Sequence, residues 1–173
     1  MTEYPFIFNY PDFPTLRAII SSEGINSLQF TGDTGNISAS SESHPQEIER
    51  HRRALGTWLD NYFSPDSFNS RIPLPQLNPA ATPFRLKIWQ ALLDIPYGKT
   101  LTYGQLAAVC HTSPRAAGGA VGANRIAILI PCHRIVGAKD SGGYTTPLST
   151  ELSIDIKLSL LALESRKSQL RVR

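Results

Sequence analysis

The chain has 173 residues, of which 41% are hydrophobic and 18% charged, and its formal net charge is +3. This length holds one domain or two small ones, and the composition is ordinary for a soluble globular protein. No stretch is apolar for long enough to span a membrane. Residues 1–8 lack the basic start and apolar core of a signal peptide, so we expect an intracellular protein.

The first 63 residues predict a small α/β arrangement. Alternating apolar residues on both sides of Ser22-Glu23-Gly24 indicate two paired strands. Residues 32–42 are rich in Gly, Ser, Thr and Asn, which is typical of a loop. Ser43-x-x-Gln46 fits a capping box, so we expect a helix from there to about Phe63, with Ile48, Leu55, Leu59 and Tyr62 on its buried stripe.

Prolines mark the middle of the chain. Residues 64–82 predict a loop with one short strand at Ile72–Leu74, and the prolines at 73, 75 and 79 suggest a linker. We therefore predict a domain boundary near Pro79, with one domain at 1–78 and a second at 79–173.

Three helices are predicted next. Thr82 and Pro83 open the first as N-cap and first residue, and Pro96-Tyr97-Gly98 breaks it. Its predicted buried residues are Phe84, Ile88, Trp89, Leu92 and Ile95. Thr102-x-x-Gln105 is a capping box, and Ser113-Pro114 opens another helix after a tight turn. Two short helices joined in this way are a helix-turn-helix candidate.

The second helix of this pair has an unusual composition, because Gly118 and Gly119 lie within it. Each glycine inside a helix costs about 1 kcal/mol relative to alanine. Two explanations stay open: close packing in a helix pair or glycine-rich loop, or a helix pressed against DNA with Arg115 as its one long side chain. Arg115, Arg125 and Arg134, with the basic tail, are compatible with a polyanionic partner, although the tail is equally typical of a solvated surface.

The run Leu129 to Ile135 carries the strongest chemical signal. An apolar stretch stops at Pro131, and Cys132 and His133 follow at once. With Pro131 as the first helical residue, Cys132 would lie among the free N–H groups of a helix start, which favour the thiolate. His133 would take the thiol proton. The alternative is a buried structural cysteine beside a solvated histidine.

The other cysteine and the histidines suggest neither a disulfide nor a metal. Cys110 closes an apolar helical stretch and is expected in the core. Without a secretory signal a disulfide is not expected, and the four histidines and two cysteines show no zinc spacing.

Residues 82–136 closely resemble the C-terminal domain of the O6-alkylguanine-DNA alkyltransferases (methylated-DNA–protein-cysteine methyltransferases). The matching stretches are Thr82-Pro83-Phe84, Trp89 to Leu92, Ile95 to Gly98, Thr102 to Ala107, Arg115 to Gly119, Asn124, and Ile128 to Val136. Pro131-Cys132-His133-Arg134 is that family's signature. The resemblance covers about half of the chain well and continues weakly to Tyr144, Lys157 and Glu164.

The resemblance implies a fold and a reaction. The fold is an RNase H-like α/β N-terminal domain, a small sheet plus a helix, followed by a mostly α C-terminal domain with a winged-helix-like helix-turn-helix. Cys132 would accept an alkyl group from O6 of guanine, and also from O4 of thymine, in a single irreversible turnover. No cofactor or metal is implied, and the protein would be a monomer in the cytoplasm of a prokaryote or the nucleus of a eukaryote.

The resemblance also assigns roles to residues. His133 would relay the thiol proton, oriented by Glu164, while Asn124 braces the turn and Tyr103 protonates the departing base. Double-stranded DNA would bind through its minor groove with the alkylated nucleotide rotated out of the stack. The implied DNA contacts are Tyr103, Gly104, Arg115, Ala116, Ala117, Gly118, Arg134 and Ala138. The implied base pocket consists of Pro131, Tyr144, Thr145 and Lys157.

The chain departs from the family pattern after Gly143-Tyr144, where Thr145-Thr146-Pro147 and about five further residues precede the last helix. This segment lines the base pocket in the family. Three other functions stay open at this stage: a damage sensor that binds without transfer, a transcription regulator that uses the helix-turn-helix, and a cysteine hydrolase.

Overall fold

The computed structural model describes residues 2–32, 44–64, 69, 71–143 and 148–170, with side chains up to residue 166. The chain forms two compact units, Met1–Ala80 and Ala81–Arg173. The division lies just beyond Pro79, where the sequence suggested a linker. In the described residues, no helix is long and apolar enough to cross a membrane.

The first unit is a three-stranded antiparallel sheet with one helix. Strands β1 (Tyr4–Phe8), β2 (Thr15–Ser21) and β3 (Gly24–Thr31) are ordered β1-β2-β3. The predicted hairpin is confirmed as β2 and β3, and β1 was not predicted. Alternating residues on one sheet face are almost fully buried: Leu16, Ala18, Ile20, Leu28 and Phe30. This alternation is what a sheet with one covered face requires.

Helix α1 (Gln46–Phe63) has the predicted buried stripe but not the predicted start. Ile48, Leu55, Leu59 and Tyr62 are buried. The N-cap is Pro45, with no side-chain cap hydrogen bond, and Ser43 lies outside the described residues. The capping-box prediction is therefore wrong, because Gln46 is the first helical residue rather than the third.

The predicted strand at Ile72–Leu74 is also wrong. These residues have no strand pairing, and a single parallel bridge forms instead between Ile25 and Leu77. Pro73 and Pro75 flank Leu74 and have no backbone N–H, so this segment cannot form a regular ladder.

Helix α2 (Pro83–Leu93) opens the second unit as predicted, since the Thr82 hydroxyl accepts a hydrogen bond from the Arg85 N–H. Ile88, Trp89 and Leu92 are buried. Phe84 was predicted to be buried but is 41% exposed, because it lies in the first turn, ahead of the buried part of the helix.

Helices α3 (Tyr103–Val109) and α4 (Pro114–Gly122) form the predicted pair. Both halves of the Thr102–Gln105 capping box are present, and Ser113 caps α4. The Trp89 indole N–H donates to the Ala120 carbonyl at 2.8 Å, which fixes α2 against the last turn of α4. This bond also satisfies a carbonyl that the helix end leaves without an intrahelical partner.

A two-stranded parallel ladder connects the helix pair to the segment around Cys132. Strand β4 (Leu101–Thr102) pairs with β5 (Ile135–Val136), so Thr102 lies opposite Val136. This pairing places the start of α3 beside the end of the Cys132–Arg134 segment. Helix α5 (Thr150–Leu170) completes the unit.

The Thr102 cap predicts a measurable loss of stability on Thr102→Ala. Removal of an N-cap side chain costs about 1 kcal/mol in free energy of unfolding, because the first-turn N–H groups lose their acceptor. Chemical denaturation should detect this loss. Thr100→Ala is the matched control, since Thr100 is exposed, two residues away and outside any helix. Equal losses in both variants would contradict the role of the cap.

Candidate active site

Cys132 opens a single 3-10 turn, Cys132–Arg134, in which Pro131 is the N-cap. The prediction of Pro131 as the first residue of an α-helix is wrong. The Cys132 N–H donates to the Ile130 carbonyl at 2.8 Å, and a turn of three residues lacks the aligned peptides of a helix dipole. Stabilisation of a thiolate must therefore come from side chains.

Asn124 supplies such a side chain. Its Nδ2 lies 3.1 Å from the Cys132 Sγ and 2.9 Å from the Ile130 carbonyl oxygen, and it donates to both. Its Oδ1 accepts from the Ile126 N–H at 2.9 Å. One amide therefore holds both ends of the loop from residue 124 to residue 132 and also donates to the sulfur. Cys132 itself is 8% exposed.

The loop that Asn124 holds is strained. Ile128 is buried and has a φ of 68°, a conformation that β-branched residues rarely adopt. The Leu129 N–H donates to the Ala127 carbonyl at 2.8 Å, which makes a γ-turn centred on Ile128. Such a conformation costs about 1–3 kcal/mol and persists only where surrounding contacts impose it.

Glu164, on α5, is the centre of the buried polar network. Its carboxylate accepts from the His133 Nε2 at 2.8 Å and from the Arg134 Nη2 and Nε at 2.8 and 2.9 Å. The Gly98 backbone N–H also donates to it, at 2.9 Å. Glu164 is 1% and His133 0% exposed, so the whole cluster is shielded from solvent.

The network fixes two protonation states. Burial disfavours the charged form of Glu164, but the donors His133 and Arg134 outweigh burial and lower its pKa from 4.5 to about 2. Burial lowers the pKa of His133, and Glu164 only partly opposes this shift. At neutral pH the imidazole is therefore neutral, with its Nε2–H directed to an ionised carboxylate.

Tyr103 is close enough to Cys132 for the two side chains to interact electrostatically. Burial and the neighbouring Cys132 raise the pKa of its phenol, so the phenol keeps its proton. Two glycines adjoin the ring. A Cβ added to Gly118 would lie 3.6 Å from the Tyr103 ring. A Cβ added to Gly142 would lie 3.1 Å from the same ring and 2.9 Å from the backbone nitrogen of Gly137.

Lys157 is fully buried on α5 and bridges two segments. Its ammonium donates to the Ile135 carbonyl at 2.6 Å and to the Gly143 carbonyl at 2.9 Å. Burial lowers its pKa to about 8, while Cys132 and Asp140 act in the opposite direction. The structure thus brings Lys157 near Cys132. Of the other predicted pocket residues, Pro131 is buried next to Cys132, whereas Tyr144 and Thr145 lie outside the described residues.

Two of the predicted DNA contacts are wrong. Ala117 is 0% exposed, because it lies on the face of α4 that packs into the unit. Arg134 is 7% exposed, and its guanidinium is engaged by Glu164 and by the Ile95 carbonyl. Neither side chain is available to a partner.

The remaining predicted contacts reach the surface. Gly104, Arg115 and Ala138 are exposed, and Tyr103, Ala116 and Gly118 are partly exposed. In the part of the chain that the structure describes, a Cβ on Gly119 would meet no atom within 4 Å, so packing among these residues does not explain that glycine. The close-packing explanation therefore fails for Gly119.

Sequence reasoning missed the role of Gly98. Its φ of 73° is in the region that favours glycine, and this conformation directs its N–H to Glu164. The Pro96-Tyr97-Gly98 turn was the available signal, but it was interpreted only as a helix break. Among the described residues, no group of three or more His, Cys, Asp or Glu could hold a metal.

The ionisation of Glu164 predicts a pH-dependent stability. Its pKa is lower in the folded state, so its contribution is fully present above pH 4.5 and disappears as the pH falls towards 2. Glu164→Gln should lower the free energy of unfolding by about 3 kcal/mol at pH 7, since it breaks a buried ion pair. Denaturation curves at several pH values should show the two proteins converging below pH 4. If the difference in free energy of unfolding between the two proteins stayed constant down to pH 2, the ionised state of Glu164 would be contradicted.

Comparison with known proteins identifies related chains. A sequence model described as "6-O-methylguanine DNA methyltransferase, DNA binding domain" matches residues 83–166. The methylated-DNA–protein-cysteine methyltransferase of Archaeoglobus fulgidus is 40% identical over 106 residues, which are 61% of this chain and 70% of that protein. The protein of the same name from Saccharolobus solfataricus is 39% identical over 109 residues, 63% of this chain and 66% of its own length.

Solved structures extend the similarity to almost the whole chain. The O6-methylguanine methyltransferase of Mycobacterium tuberculosis superposes with a TM-score of 0.71 at 29% identity, covering 96% of this chain and 94% of that one. A structure of the M. tuberculosis protein in complex with DNA gives a TM-score of 0.71 at 28% identity, covering 93% and 92%. The chain therefore belongs to the methylated-DNA–protein-cysteine methyltransferase family.

Proposed function

We propose that this protein repairs DNA by transferring an alkyl group from O6 of guanine, and from O4 of thymine, irreversibly to the sulfur of Cys132. Family membership supports the reaction. The observation that carries the assignment of the acceptor is the position of the sulfur: Asn124 donates to it, and the next residue is a histidine paired with a buried glutamate.

The proposed reaction is an in-line displacement. The Asn124 N–H stabilises negative charge on the sulfur, and the thiolate attacks the alkyl carbon. An S–C bond forms and the C–O6 bond breaks, with the bonding electrons leaving on the base. The Tyr103 phenol is protonated at neutral pH and donates its proton to the departing base. The thioether is stable, so each molecule acts once.

His133 is the proposed acceptor of the thiol proton. Its Nε2–H is directed to Glu164, so Nδ1 is the nitrogen that carries the basic lone pair. When Nδ1 takes a proton, the resulting imidazolium is adjacent to an ionised carboxylate, which stabilises it. The proton later returns through solvent to the tyrosine. Arg134 acts in this scheme by keeping Glu164 ionised and fixed.

The proposed DNA complex uses α4 in the minor groove. Ala116, Gly118 and Gly119 present little side-chain volume, which allows the backbone of the helix to approach the groove closely. Arg115 fills the gap in the base stack after the alkylated nucleotide rotates out. Gly104 and Ala138 contact the duplex beside α4, and Pro131, Tyr144, Thr145 and Lys157 border the base pocket.

Several further features belong to the same proposal. Residues 79–173 form the DNA-binding alkyltransferase domain, winged-helix-like around α3 and α4, and residues 1–78 form an RNase H-like N-terminal domain. The protein acts as an intracellular monomer, without cofactor, on double-stranded DNA.

The acceptor assignment is tested by intact-mass measurement after incubation with duplex DNA containing O6-methylguanine. The protein should gain one methyl group, and peptide mapping should locate it on Cys132. Cys132→Ala should gain no mass, because it lacks the attacking sulfur. Cys110→Ala is the matched control, since the chain has only these two cysteines and Cys110 should not react. A methyl group on Cys110, or none on wild-type protein, would overturn the proposal.

The role of Arg115 predicts a difference between two substrates. Arg115→Ala should slow repair of methylated duplex by about tenfold or more, because base rotation costs a few kcal/mol that the inserted side chain offsets. Its reaction with free O6-alkylguanine base should be unchanged, as no stack must be opened. Single-turnover kinetics on both substrates measure this. Equal slowing on both would rule out a role in base rotation.

A further inference from the structure

The stretch of chain that contains Tyr103, Asn124, Cys132 and His133 has no acidic residue. The chain has 14 Asp and Glu residues among 173, yet none falls between residues 95 and 139. The same stretch contains five basic residues, Lys99, Arg115, Arg125, Arg134 and Lys139. A stretch of chain whose charged residues are all basic favours a polyanionic partner.

These five cations are not equivalent. Arg134 is buried and neutralised by Glu164, so it contributes no charge to the surface. Lys139 is exposed but adjoins Asp140, which is also exposed. Arg115 already has a proposed role in the base stack. Among the described residues, none of the ion pairs involves Arg125, although its side chain is exposed.

Arg125 is the exposed residue of an otherwise buried loop. The structure describes all residues from Asn124 to Ile135, and each of them is buried except Arg125. Arg125 therefore provides the one charge that this loop presents to solvent. Nothing in the packing of the loop explains a long cationic side chain at this point.

The backbone around Arg125 is fixed from both sides. The Asn124 Oδ1 accepts from the Ile126 N–H at 2.9 Å, closing a turn in which Arg125 is the intervening residue. The Asn124 amide also contacts the sulfur at 3.1 Å. Since consecutive Cα atoms are about 3.8 Å apart, the Arg125 Cα lies within roughly 11 Å of the sulfur. This distance is no greater than the width of a DNA major groove, about 12 Å, so Arg125 is close enough to the sulfur to reach the backbone of a duplex that delivers a base to Cys132.

We propose that Arg125 binds a backbone phosphate of the DNA beside the base pocket. This inference rests on the proposed function and deepens it, since it adds a phosphate contact at the C-terminal end of α4 to the insertion of Arg115 at the N-terminal end. The contact carries no sequence information, because it is made to the backbone. As a consequence, the affinity of the protein for DNA should fall as the salt concentration rises.

The experiment compares Arg125→Gln with wild-type protein on an undamaged duplex, by fluorescence anisotropy across a series of salt concentrations. Loss of one phosphate contact should reduce the slope of log K against log salt by about 0.9. Binding at low salt should weaken roughly three- to tenfold. Arg125→Lys, which keeps the charge, should retain most of the slope.

Arg53→Gln is the matched control. Arg53 is also an exposed arginine, but its charge is already paired with Glu49 at 2.8 Å in the first unit. Its removal should leave the slope unchanged. A slope for Arg125→Gln that equals the wild-type slope would overturn the inference.

A second readout separates a phosphate contact from an effect on the sulfur. Arg125→Gln should react with free O6-alkylguanine base at the wild-type rate, because that substrate has no phosphate. A matching loss of rate on the free base would mean that Arg125 acts on the thiolate, and would overturn the inference. Failure of wild-type protein to transfer any alkyl group would instead contradict the proposed function itself.

Discussion

The carboxylate of Glu164 is the interaction on which the second unit depends. It joins the last helix to the turn that carries Cys132, through His133 and Arg134, and to the turn after α2, through Gly98. A buried carboxylate is costly unless hydrogen bonds and opposite charge compensate it, and here four donor groups do so. The same contacts that hold three segments together also orient His133, while burial keeps its imidazole neutral. Under the proposed function, the stability of this unit and the reactivity of Cys132 therefore depend on the same carboxylate.

Asn124 likewise contributes both to the fold and to the surroundings of the sulfur. Its amide closes the loop around the buried, strained Ile128 and donates to the Cys132 Sγ. A loop with a residue at positive φ is not the lowest-energy path for the backbone, so its shape must be imposed by such contacts. Because each hydrogen bond of Asn124 restrains the next, the sulfur is held in one position. If Cys132 is the acceptor, as we propose, this placement of the sulfur is a large part of what a displacement reaction requires.

Local chemistry in the sequence predicted much of this fold, and tertiary contacts account for the errors. Thr102 and Gln105 form their capping box because nothing competes with it, whereas α1 starts at Gln46, three residues after the predicted cap. The acceptor role proposed for Cys132 was predicted from its neighbours together with the family resemblance. The pairing of His133 with Glu164 spans 31 positions and was predicted from the resemblance alone. Arg134 was misassigned to DNA for the same reason, since no local pattern shows that a distant carboxylate engages it. Gly98 was missed because a turn does not reveal what its N–H contacts.

The protonation of His133 tests the account most directly. Nitrogen-15 NMR of the imidazole should show a neutral ring between pH 6 and 8, with the proton on Nε2 and a basic Nδ1. In Glu164→Gln protein this tautomer should lose its preference, while Cys110→Ala should leave it unchanged. An imidazolium at pH 7, or a neutral ring with the proton on Nδ1, would contradict the claim that Glu164 prepares His133 to accept the proton of Cys132.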